Sequence, residues 1–325
     1  MPAQGHLYFH SPCFDGIVSA VLAWDFLEAG QGWASITLHR VNYDLRETWL
    51  TSSLESPCAV VDFLYHPQAQ FWADHHMTAF LNEESRQHFE NRRGPALVYD
   101  ERAGSCSGLL REHLSRAFGH RNPRYDEMVQ WAEKIDAARY ESVREAILAP
   151  APALRISTGL ALGGAEGYCE GLVRSLRNGT LQEVADLPEV QGRFERAQAR
   201  MQTGLDRFAA AARLESDGIV VFDVDGKGAL ISRYAPYYFF PEARYSAGIV
   251  RWEDGAGITA MRNPWREFES VFLGKICEKL GGGGHQRVGS VVLRGDRAAE
   301  AASVLERLLS EIRYAESRGG GGQTP

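Results

Sequence analysis

Carboxylate and imidazole side chains recur at the ends of apolar runs in the first half of the chain. His10 closes one run, Asp62 closes a second in AVVDF, and Asp74, His75 and His76 follow a third in FWADHH. Carboxylates and imidazoles together suit divalent manganese, iron or zinc. A carboxylate shared by two such ions can hold them about 4 Å apart, the spacing that clamps the oxygens of a phosphoryl group. These residue types therefore fit a site for divalent metals, which could act on a phosphoryl group.

Three further residues extend this set. Cys13 and Asp15 lie in the segment that leads into the first predicted helix, and Asp136 lies in the helical stretch WAEKIDAARY. Each has an ordinary alternative, because an aspartate before a helix is commonly a cap and one within a helix commonly pairs with a nearby basic residue. Two adjacent histidines in a loop also prove little alone. The combination of these residues favours a metal site over the single-residue interpretations.

The second half of the chain carries a glycine run, Gly281–Gly284, followed directly by His285. Glycines let a backbone approach a ligand closely and expose N–H groups to an anion, although such a run can also be a flexible turn. Arg262 ends the apolar run GITAMR, where the ordinary interpretation is a surface arginine at a strand end. The aromatic segment 234–245 could stack a nucleobase, but core or interface packing is the favoured interpretation.

The elements that must position the first-half residues alternate between strand and helix. Strands are predicted at Leu7–His10, Ile36–Val41, Ala59–Asp62, Gln70–Asp74 and Ala96–Tyr99, and helices at Asp15–Ala29, Ser105–Phe118 and Tyr125–Arg139. This alternation indicates an α/β fold with a largely parallel sheet. Because binding residues collect at the carboxyl ends of parallel strands, we expect the acidic and imidazole side chains to meet at one edge. Ser105, Cys106 and Ser107 lie at the start of a predicted helix, where ordinary N-capping is expected, with a contact to a phosphate or to the groups around the metal site as the alternative.

The chain of 325 residues is long for one domain, so two domains are expected. We predict a metal-binding domain over 1–185, a helical linker over 186–215, a smaller α/β domain over 216–316 and a disordered glycine-rich tail over 317–325. In the second domain, strands are predicted at Ile219–Asp223, Gly228–Ile231, Tyr245–Trp252, Gly257–Arg262 and Ser290–Leu293, and helices at Phe268–Leu280 and Ala298–Tyr314.

Composition narrows the class of partner. The formal net charge is −7, which argues against a broad basic face for long nucleic acid and leaves room for a local cationic pocket. Five scattered cysteines indicate a reducing compartment, and no signal peptide or membrane span is predicted, so the expected location is cytoplasmic. A homodimer is the prior expectation for the oligomeric state.

In order along the chain, the first-half residues resemble the motifs of the DHH phosphoesterase family. The matching features are His10-x-x-Cys13-x-Asp15-Gly16, then Asp62, then Asp74-His75-His76, then Asp136. The run Gly281–Gly284 with His285 resembles the motif of the family's associated C-terminal domain. The resemblance spans nearly the whole chain and implies a parallel-sheet DHH domain joined by a helical linker to a smaller α/β domain.

The resemblance also implies roles for individual residues. His10 and Asp62 would bind a first metal, and Asp62 would bridge to a second metal held by Asp15, His75 and Asp136. Asp74 would orient a histidine, and His76 would face the substrate phosphate, where it stabilises developing charge or helps to protonate the leaving oxygen. In the second domain, Arg262, Gly282, Gly283, Gly284 and His285 would bind the distal phosphate or base of the substrate.

Cys13 departs from the family pattern, in which many members have Asp-x-Asp where this chain has Cys13-Phe14-Asp15. A thiolate ligand would shift preference toward zinc or iron, whereas manganese is favoured by the rest of the set. Alternatively, Cys13 is only a small buried residue beside a weak first metal site. A third interpretation is an oxidation-sensitive thiol.

The function these observations favour is hydrolysis of phosphoester bonds in small nucleotides or short single-stranded oligonucleotides, with two divalent metal ions as cofactors. Within the family that the chain resembles, substrates include short oligoribonucleotides, pAp, dinucleotides and single-stranded DNA, and the sequence does not choose among them. Two alternatives stay open: hydrolysis of pyrophosphate or polyphosphate, and a non-catalytic nucleotide-binding module motivated by the aspartate missing at Cys13.

Overall fold

The computed structural model describes residues 4–318, except for the side chain of His285. It divides into two compact units. The first contains the residues up to Tyr140 together with Pro150–Glu195, and the second contains Glu141–Ala149 together with the residues from Arg196 onward. Ser317, which the sequence placed in a disordered tail, is the last residue of the final helix, and 319–325 lie outside the described residues.

The first unit is built on a five-stranded sheet. Its strands are β1 (Gln4–His10), β2 (Ser35–Val41), β3 (Cys58–Val61), β4 (Phe71–Asp74) and β5 (Leu97–Tyr99), in the order β2-β1-β3-β4-β5. Every neighbouring pair runs parallel. The predicted parallel α/β architecture is therefore confirmed, and the carboxyl ends of β1, β3 and β4 lie side by side.

Helices cover this sheet and continue into the second unit. They are α1 (Phe14–Gln31), α2 (Glu83–Asn91), α3 (Cys106–Phe118), α4 (Asp126–Asp136), α5 (Val143–Leu148), α6 (Pro152–Leu160), α7 (Tyr168–Asn178), α8 (Leu181–Ala185) and α9 (Pro188–Ala211). Helix α1 is apolar on nearly all sides because it packs against β1, α3, α4 and α7 at once. No helix within residues 4–318 is long and apolar enough to cross a membrane.

Alternate residues of the central strands face two different cores, as the period of two in a strand requires. Leu7 and Phe9 of β1 pack with the helices α1, α3, α4 and α7. Tyr8, on the opposite face, packs with Trp49, Phe63 and other aromatic side chains. This two-sided burial fixes the register of the strands, so it also fixes which residues reach the carboxyl edge of the sheet.

The second unit contains a mixed six-stranded sheet. Its strands are β6 (Arg213–Leu214), β7 (Ile219–Asp225), β8 (Tyr245–Trp252), β9 (Gly255–Arg262), β10 (Gly283–His285) and β11 (Val288–Arg294), in the order β10-β11-β9-β8-β7-β6. Only β7 and β8 pair parallel among these described strands. The remaining helices are α10 (Ala235–Phe239), α11 (Leu273–Lys279) and α12 (Ala301–Ser317), and α11 and α12 pack on the sheet over one apolar core.

Two predicted elements of this unit are wrong. The segment Gly228–Ile231 is not a strand, because Gly228 lies in a turn with φ 70° and the amide of Leu230 donates to the carbonyl of Arg200. The predicted helix 268–280 is helical only over Leu273–Lys279. Ahead of it, tertiary hydrogen bonds take the backbone: the carbonyl of Phe268 accepts from Arg262, and the amide of Val271 donates to the hydroxyl of Tyr245.

The glycine run forms a tight hairpin edge. Gly283–His285 pairs antiparallel with β11. A Cβ at Gly282 would lie 2.0 Å from the carbonyl oxygen of Ser290, and one at Gly284 would lie 2.3 Å from that of Val288. Gly282 and Gly284 are therefore required by the close approach of two backbones, and the flexible-turn interpretation is wrong for Gly283 and Gly284, which lie in β10.

This packing predicts different outcomes for two adjacent glycines. Gly282→Ala should lower the free energy of unfolding by roughly 1–3 kcal/mol, because the new methyl group overlaps the β11 backbone. Gly283→Ala is the matched control, since nothing lies within 4 Å of the place that its methyl group would take. Denaturant unfolding of the two variants checks this, and equal stability would contradict the assigned hairpin.

Candidate metal centre

The carboxyl edge of the first sheet collects the chemistry-bearing residues. His10 is the last residue of β1, Asp74 is the last of β4, and Asp62 directly follows β3. Asp15 lies in the first turn of α1, and Asp136 is the last residue of α4. The structure thus brings together side chains that are up to 126 positions apart, from His10 to Asp136.

Asp62 lies at the middle of this cluster. Its Oδ2 is 3.4 Å from Nδ1 of His10, and its Oδ1 is 3.7 Å from Nε2 of His75. The same His75 nitrogen lies 3.3 Å from Asp136 and 3.9 Å from Asp15. One carboxylate therefore faces two groups of potential ligands, which is the arrangement that a bridging ligand requires.

The donor atoms fit divalent cations. Asp62 is fully buried, and neither of its oxygens has a hydrogen-bond partner among the described residues. Nδ1 of His10 and Nε2 of His75 are also buried without such a partner. Burial, together with the charges of Asp15 and Asp136, raises the pKa of Asp62 well above its usual range. Buried acceptors and clustered negative charge are costly alone, and bound cations would satisfy both.

The backbone around Asp62 is also unusual. Asp62 has φ 56°, in the left-handed region that non-glycine residues seldom occupy. Its amide donates to the carbonyl of Ala73 on β4 at 2.9 Å. Strained backbone of this kind is concentrated at functional sites, where the surrounding structure enforces it.

Gly16 permits the close approach of α1 to β1. A Cβ at this position would lie 2.1 Å from the carbonyl oxygen of His10 and 3.1 Å from Oδ2 of Asp62. Any larger residue would therefore push the start of α1, with Asp15, away from the strand end. Sequence reasoning included Gly16 in the motif but gave it no role; the signal was its place directly after Asp15.

The amino terminus of α3 holds Asp15. Its carboxylate accepts hydrogen bonds from the amides of Cys106, at 2.7 Å, and Ser107, at 3.1 Å, and from the Ser107 hydroxyl. Exposed amides at a helix start favour a negative charge. The expected N-cap is present at Ser105, whose hydroxyl accepts from the Gly108 amide. The support given by Ser107 was only the weaker alternative in the sequence.

Each of the two histidines is held by a different acceptor. Nδ1 of His75 lies 3.1 Å from the carbonyl of Ala103, which can only accept, so this nitrogen carries the proton and Nε2 presents its lone pair to the carboxylates. Oδ1 of Asp74 lies 2.7 Å from Nδ1 of His76 and accepts from the His75 amide at 2.8 Å. Ala103 gave no signal in the sequence, because its contribution is a backbone carbonyl.

Opposing effects set the charge of the histidines. Burial lowers the pKa of His76, but its hydrogen bond to Asp74 and the surrounding carboxylates outweigh burial, so the pKa is raised. Burial and the neighbouring His76 lower the pKa of His10 to about 4. His10 is therefore neutral near pH 7, the form in which an imidazole binds a metal.

Cys13 and Tyr43 complete the surroundings of His10. The Cys13 sulfur, a His10 nitrogen and an Asp62 oxygen all lie within 4.8 Å of one another. Burial and the charges of Asp62 and other carboxylates raise the pKa of the Cys13 thiol, so a thiolate here would need a bound cation. Tyr43 packs edge-on to His10, with ring centroids 5.1 Å apart, and to His76, at 6.3 Å. Nothing in the sequence pointed to Tyr43.

In the second unit, Arg262 is a nearly buried cation at the end of β9. Its guanidinium donates to the carbonyls of Asn263 and Phe268 and lies over the Phe268 ring. Burial and the charge of Arg287 lower the pKa of Arg262. Among the described residues no carboxylate pairs with it, so it can accept an anion.

For the other predicted binding residues of this unit, ligand binding stays a prediction. Gly282, Gly283 and Gly284 belong to the hairpin edge, and the side chain of His285 lies outside the described part of the structure. In the aromatic segment, Tyr234, Tyr237 and Tyr245 are buried, which agrees with the favoured core interpretation.

Comparison with known proteins gives structural neighbours only. No protein-family model and no curated protein sequence matches the chain. The pGpG-specific phosphodiesterase PggH from Vibrio cholerae is similar with a TM-score of 0.68 and 17% identity, over 96% of this chain and 99% of that one. RecJ from Thermus thermophilus, solved with Mn²⁺, gives 0.55 and 12%, over 96% of this chain and 52% of RecJ. The DHH domain of a protein described as a member of a ribosomal protein family gives 0.50 and 13%, over 95% and 86%.

These likenesses define the class of fold. The chain has the two-unit fold of DHH-domain proteins, as the resemblance in its motifs predicted.

Asp62→Asn separates fold from metal binding. Because asparagine removes a buried charge and tolerates left-handed φ, the metal-free variant should be at least as stable as the wild type. At an Mn²⁺ concentration of 100 times Kd, binding should stabilise the folded wild type by about 2.7 kcal/mol and so raise its melting temperature. The melting temperature of the variant should not change. Asp44→Asn, at an exposed aspartate, is the control and should respond like the wild type. Equal Mn²⁺ shifts for Asp62→Asn and the wild type would show that Asp62 is not a ligand.

Two serines of α3 should respond differently to alanine. Ser107→Ala removes a hydrogen bond that orients Asp15, so metal affinity should fall roughly 10–100-fold with little loss of stability. Ser105→Ala removes the cap and should cost about 1 kcal/mol of stability while metal affinity stays the same. Calorimetric Mn²⁺ titration and thermal unfolding distinguish the two, and matching metal affinities would contradict the role of Ser107.

Proposed function

We propose that the chain is a metal-dependent phosphoesterase that hydrolyses phosphodiester bonds of small nucleotides or short single-stranded oligonucleotides. The observation that carries the proposal is the buried Asp62 carboxylate, whose two oxygens face His10 and His75 and have no hydrogen-bond partner among the described residues. A structural carboxylate would be expected to have such partners. A carboxylate shared by two metal ions would not need them.

The residues divide into two ligand groups. His10 and Asp62, with Cys13 beside them, would hold one ion, and Asp62, Asp15, His75 and Asp136 would hold the other. Such ions lower the pKa of bound water and neutralise charge on phosphoryl oxygens. Manganese is the favoured ion, because oxygen and imidazole donors predominate and the structural neighbour RecJ was solved with Mn²⁺.

The chain's own residues then act on the substrate. His76 is partly exposed and held by Asp74, so its ring can bind a phosphate oxygen or donate a proton to the leaving oxygen. Ser107, Cys106 and Ala103 keep Asp15 and His75 in place, so the ligands do not have to reorganise during the reaction. Arg262, a buried cation without a carboxylate partner among the described residues, would bind a distal phosphate group.

Short substrates are favoured over polymers. The net charge of −7 opposes binding of long nucleic acid. PggH, which this chain matches over nearly its whole length, is a pGpG-specific phosphodiesterase, so a linear dinucleotide is the first substrate to test. We also propose a cytoplasmic location, since all five cysteines are free thiols, and retain the homodimer as a prior.

A substrate panel tests this function. The full chain with Mn²⁺ should hydrolyse pGpG or another linear dinucleotide, and His75→Ala should abolish turnover while leaving the fold largely intact. The panel adds pAp, short RNA and DNA, and polyphosphate, each also with iron, cobalt or zinc. Turnover of polyphosphate alone would replace the proposal with a phosphoanhydride hydrolase. No turnover of any substrate with any metal would leave a nucleotide-binding module.

Cys13→Asp should change which metal supports activity. A carboxylate in place of the thiol restores an oxygen donor beside His10 and Asp62, so activation should shift toward Mn²⁺ relative to Zn²⁺. Cys13→Ser is the control of similar size and should weaken metal binding without that shift. Activity titrations with each metal check the prediction, and identical metal preference in all three proteins would mean that Cys13 is not a ligand.

Arg262→Lys should raise KM about tenfold and change kcat little. Lysine keeps the positive charge but loses the planar fork, at a cost of about 1.5 kcal/mol for one hydrogen bond to a charged group. The matched control is Arg251→Lys, since Arg251 lies in β8 of the same sheet and pairs with Asp223 at the surface. Steady-state kinetics on the best substrate of the panel give both constants, and an unchanged KM would refute the role of Arg262.

A further inference from the structure

A second group of metal-ligating side chains lies in the first unit, apart from the centre described above. His6 is on β1, His39 is on the adjacent β2, and Glu55 is in the loop before β3. One ligand atom from each of the three lies within 4.8 Å of the other two. His6 precedes His10 by four positions on β1, so at about 3.3 Å per residue their Cα atoms are about 13 Å apart.

The spacing of the two rings suits a tetrahedral ion. Nδ1 of His6 lies 3.0 Å from Nε2 of His39. Two nitrogens that each bind Zn²⁺ at about 2.0–2.1 Å in a tetrahedral site are separated by about 3.3 Å. A shift of a few tenths of an ångström would therefore admit the ion. Without an ion, one of the two rings must donate a hydrogen bond to the other.

Glu55 can supply the third ligand. Its Oε2 lies 3.6 Å from Nε2 of His6, and its side chain is 66% exposed. An exposed carboxylate turns at little energetic cost, so it can meet an ion on the Nδ1 side of His6.

Tyr8 holds two of the three ligands in place. Its ring stacks on His39, with centroids 4.5 Å apart and an interplanar angle of 14°. Its hydroxyl accepts a hydrogen bond from the backbone amide of Glu55 at 3.1 Å. The loop that carries Glu55 and the ring of His39 are thus positioned by one buried side chain, so little order has to be gained when a metal binds.

A further carboxylate lies nearby. Glu170 on α7 is close enough for its charge to act on His39. Its Oε2 is buried and has no hydrogen-bond partner among the described residues. This independent negative charge favours a cation beside His39 over a neutral, hydrogen-bonded pair of His6 and His39 without an ion.

We propose that His6, His39 and Glu55 bind one Zn²⁺ ion, with a water in the fourth position. Two imidazoles and one carboxylate are a ligand set that zinc adopts in proteins. The ion would tie β1 and β2 to the loop before β3. This site is separate from the proposed hydrolytic function and does not depend on it.

The experiment uses the full chain without a polyhistidine tag. Asp62→Asn/His75→Asn removes a ligand from each of the other metal-ligating groups found in residues 4–318, which leaves only the His6–His39–Glu55 group. Zn²⁺ uptake is measured by equilibrium dialysis with elemental analysis, and the melting temperature is measured with and without Zn²⁺. His39→Gln and Glu55→Gln are each added to this background. His113→Gln, on α3, is the matched control.

The background protein should bind one Zn²⁺ per chain and melt at a higher temperature with it. His39→Gln and Glu55→Gln should each weaken Zn²⁺ binding at least about tenfold, because loss of a residue that only supports a metal ligand already costs that much affinity. His113→Gln should leave Zn²⁺ binding unchanged. Glu55 is exposed, so its variant keeps the test valid if His39→Gln folds poorly. No Zn²⁺ uptake by the background protein, or equal binding by Glu55→Gln and the His113→Gln control, would overturn the site.

Discussion

The burial of the Asp62 carboxylate among other carboxylates is the constraint on which the metal centre depends. A charged group without hydrogen bonds inside a protein is unfavourable by several kcal/mol unless something compensates it. The neighbours of Asp62 add to the cost, because Asp15, Asp136 and Asp74 all act on it with the same sign. The sheet forces this arrangement, since β3 is covered on both faces and delivers Asp62 to a buried edge. Bound cations would turn the arrangement from a destabilising into a stabilising one, so metal binding would also stabilise the first unit.

The supporting contacts follow from that constraint. Asp15 is bound by the start of α3, His75 by the carbonyl of Ala103 and His76 by Asp74. Each partner fixes the direction of one ligand, and each lies on a rigid element or directly beside one. Gly16 lets these elements approach, because no side chain separates α1 from the end of β1. A site built this way loses little order when it binds an ion, and the strained backbone of Asp62 is held by the same packing.

The second unit shows that a recognisable motif can have a structural cause. Gly282 and Gly284 are required because β10 and β11 come too close for a Cβ, whatever else the loop binds. Arg262 is the opposite case, a buried cation held by carbonyls and beside another arginine, where packing alone gives no reason for a charge. The glycines therefore explain the fold of the edge, and the arginine is the stronger indication of a ligand.

The sequence by itself determined the parallel α/β architecture and the residues that meet at its edge. Apolar runs of strand length set the sheet, and a polar residue after such a run must lie at its carboxyl end. The position of His10, Asp62 and Asp74 at this edge of the sheet could therefore be predicted from the sequence. The sequence-based prediction failed where distant partners govern the backbone. Leu230, in a predicted strand, donates to the carbonyl of Arg200 instead of pairing in a sheet, and Phe268 and Val271, in a predicted helix, bond to Arg262 and Tyr245. Only the tertiary structure revealed Ala103, Tyr43 and the pair His6 and His39, because hydrogen bonds to carbonyls and contacts across strands leave no local pattern in a sequence.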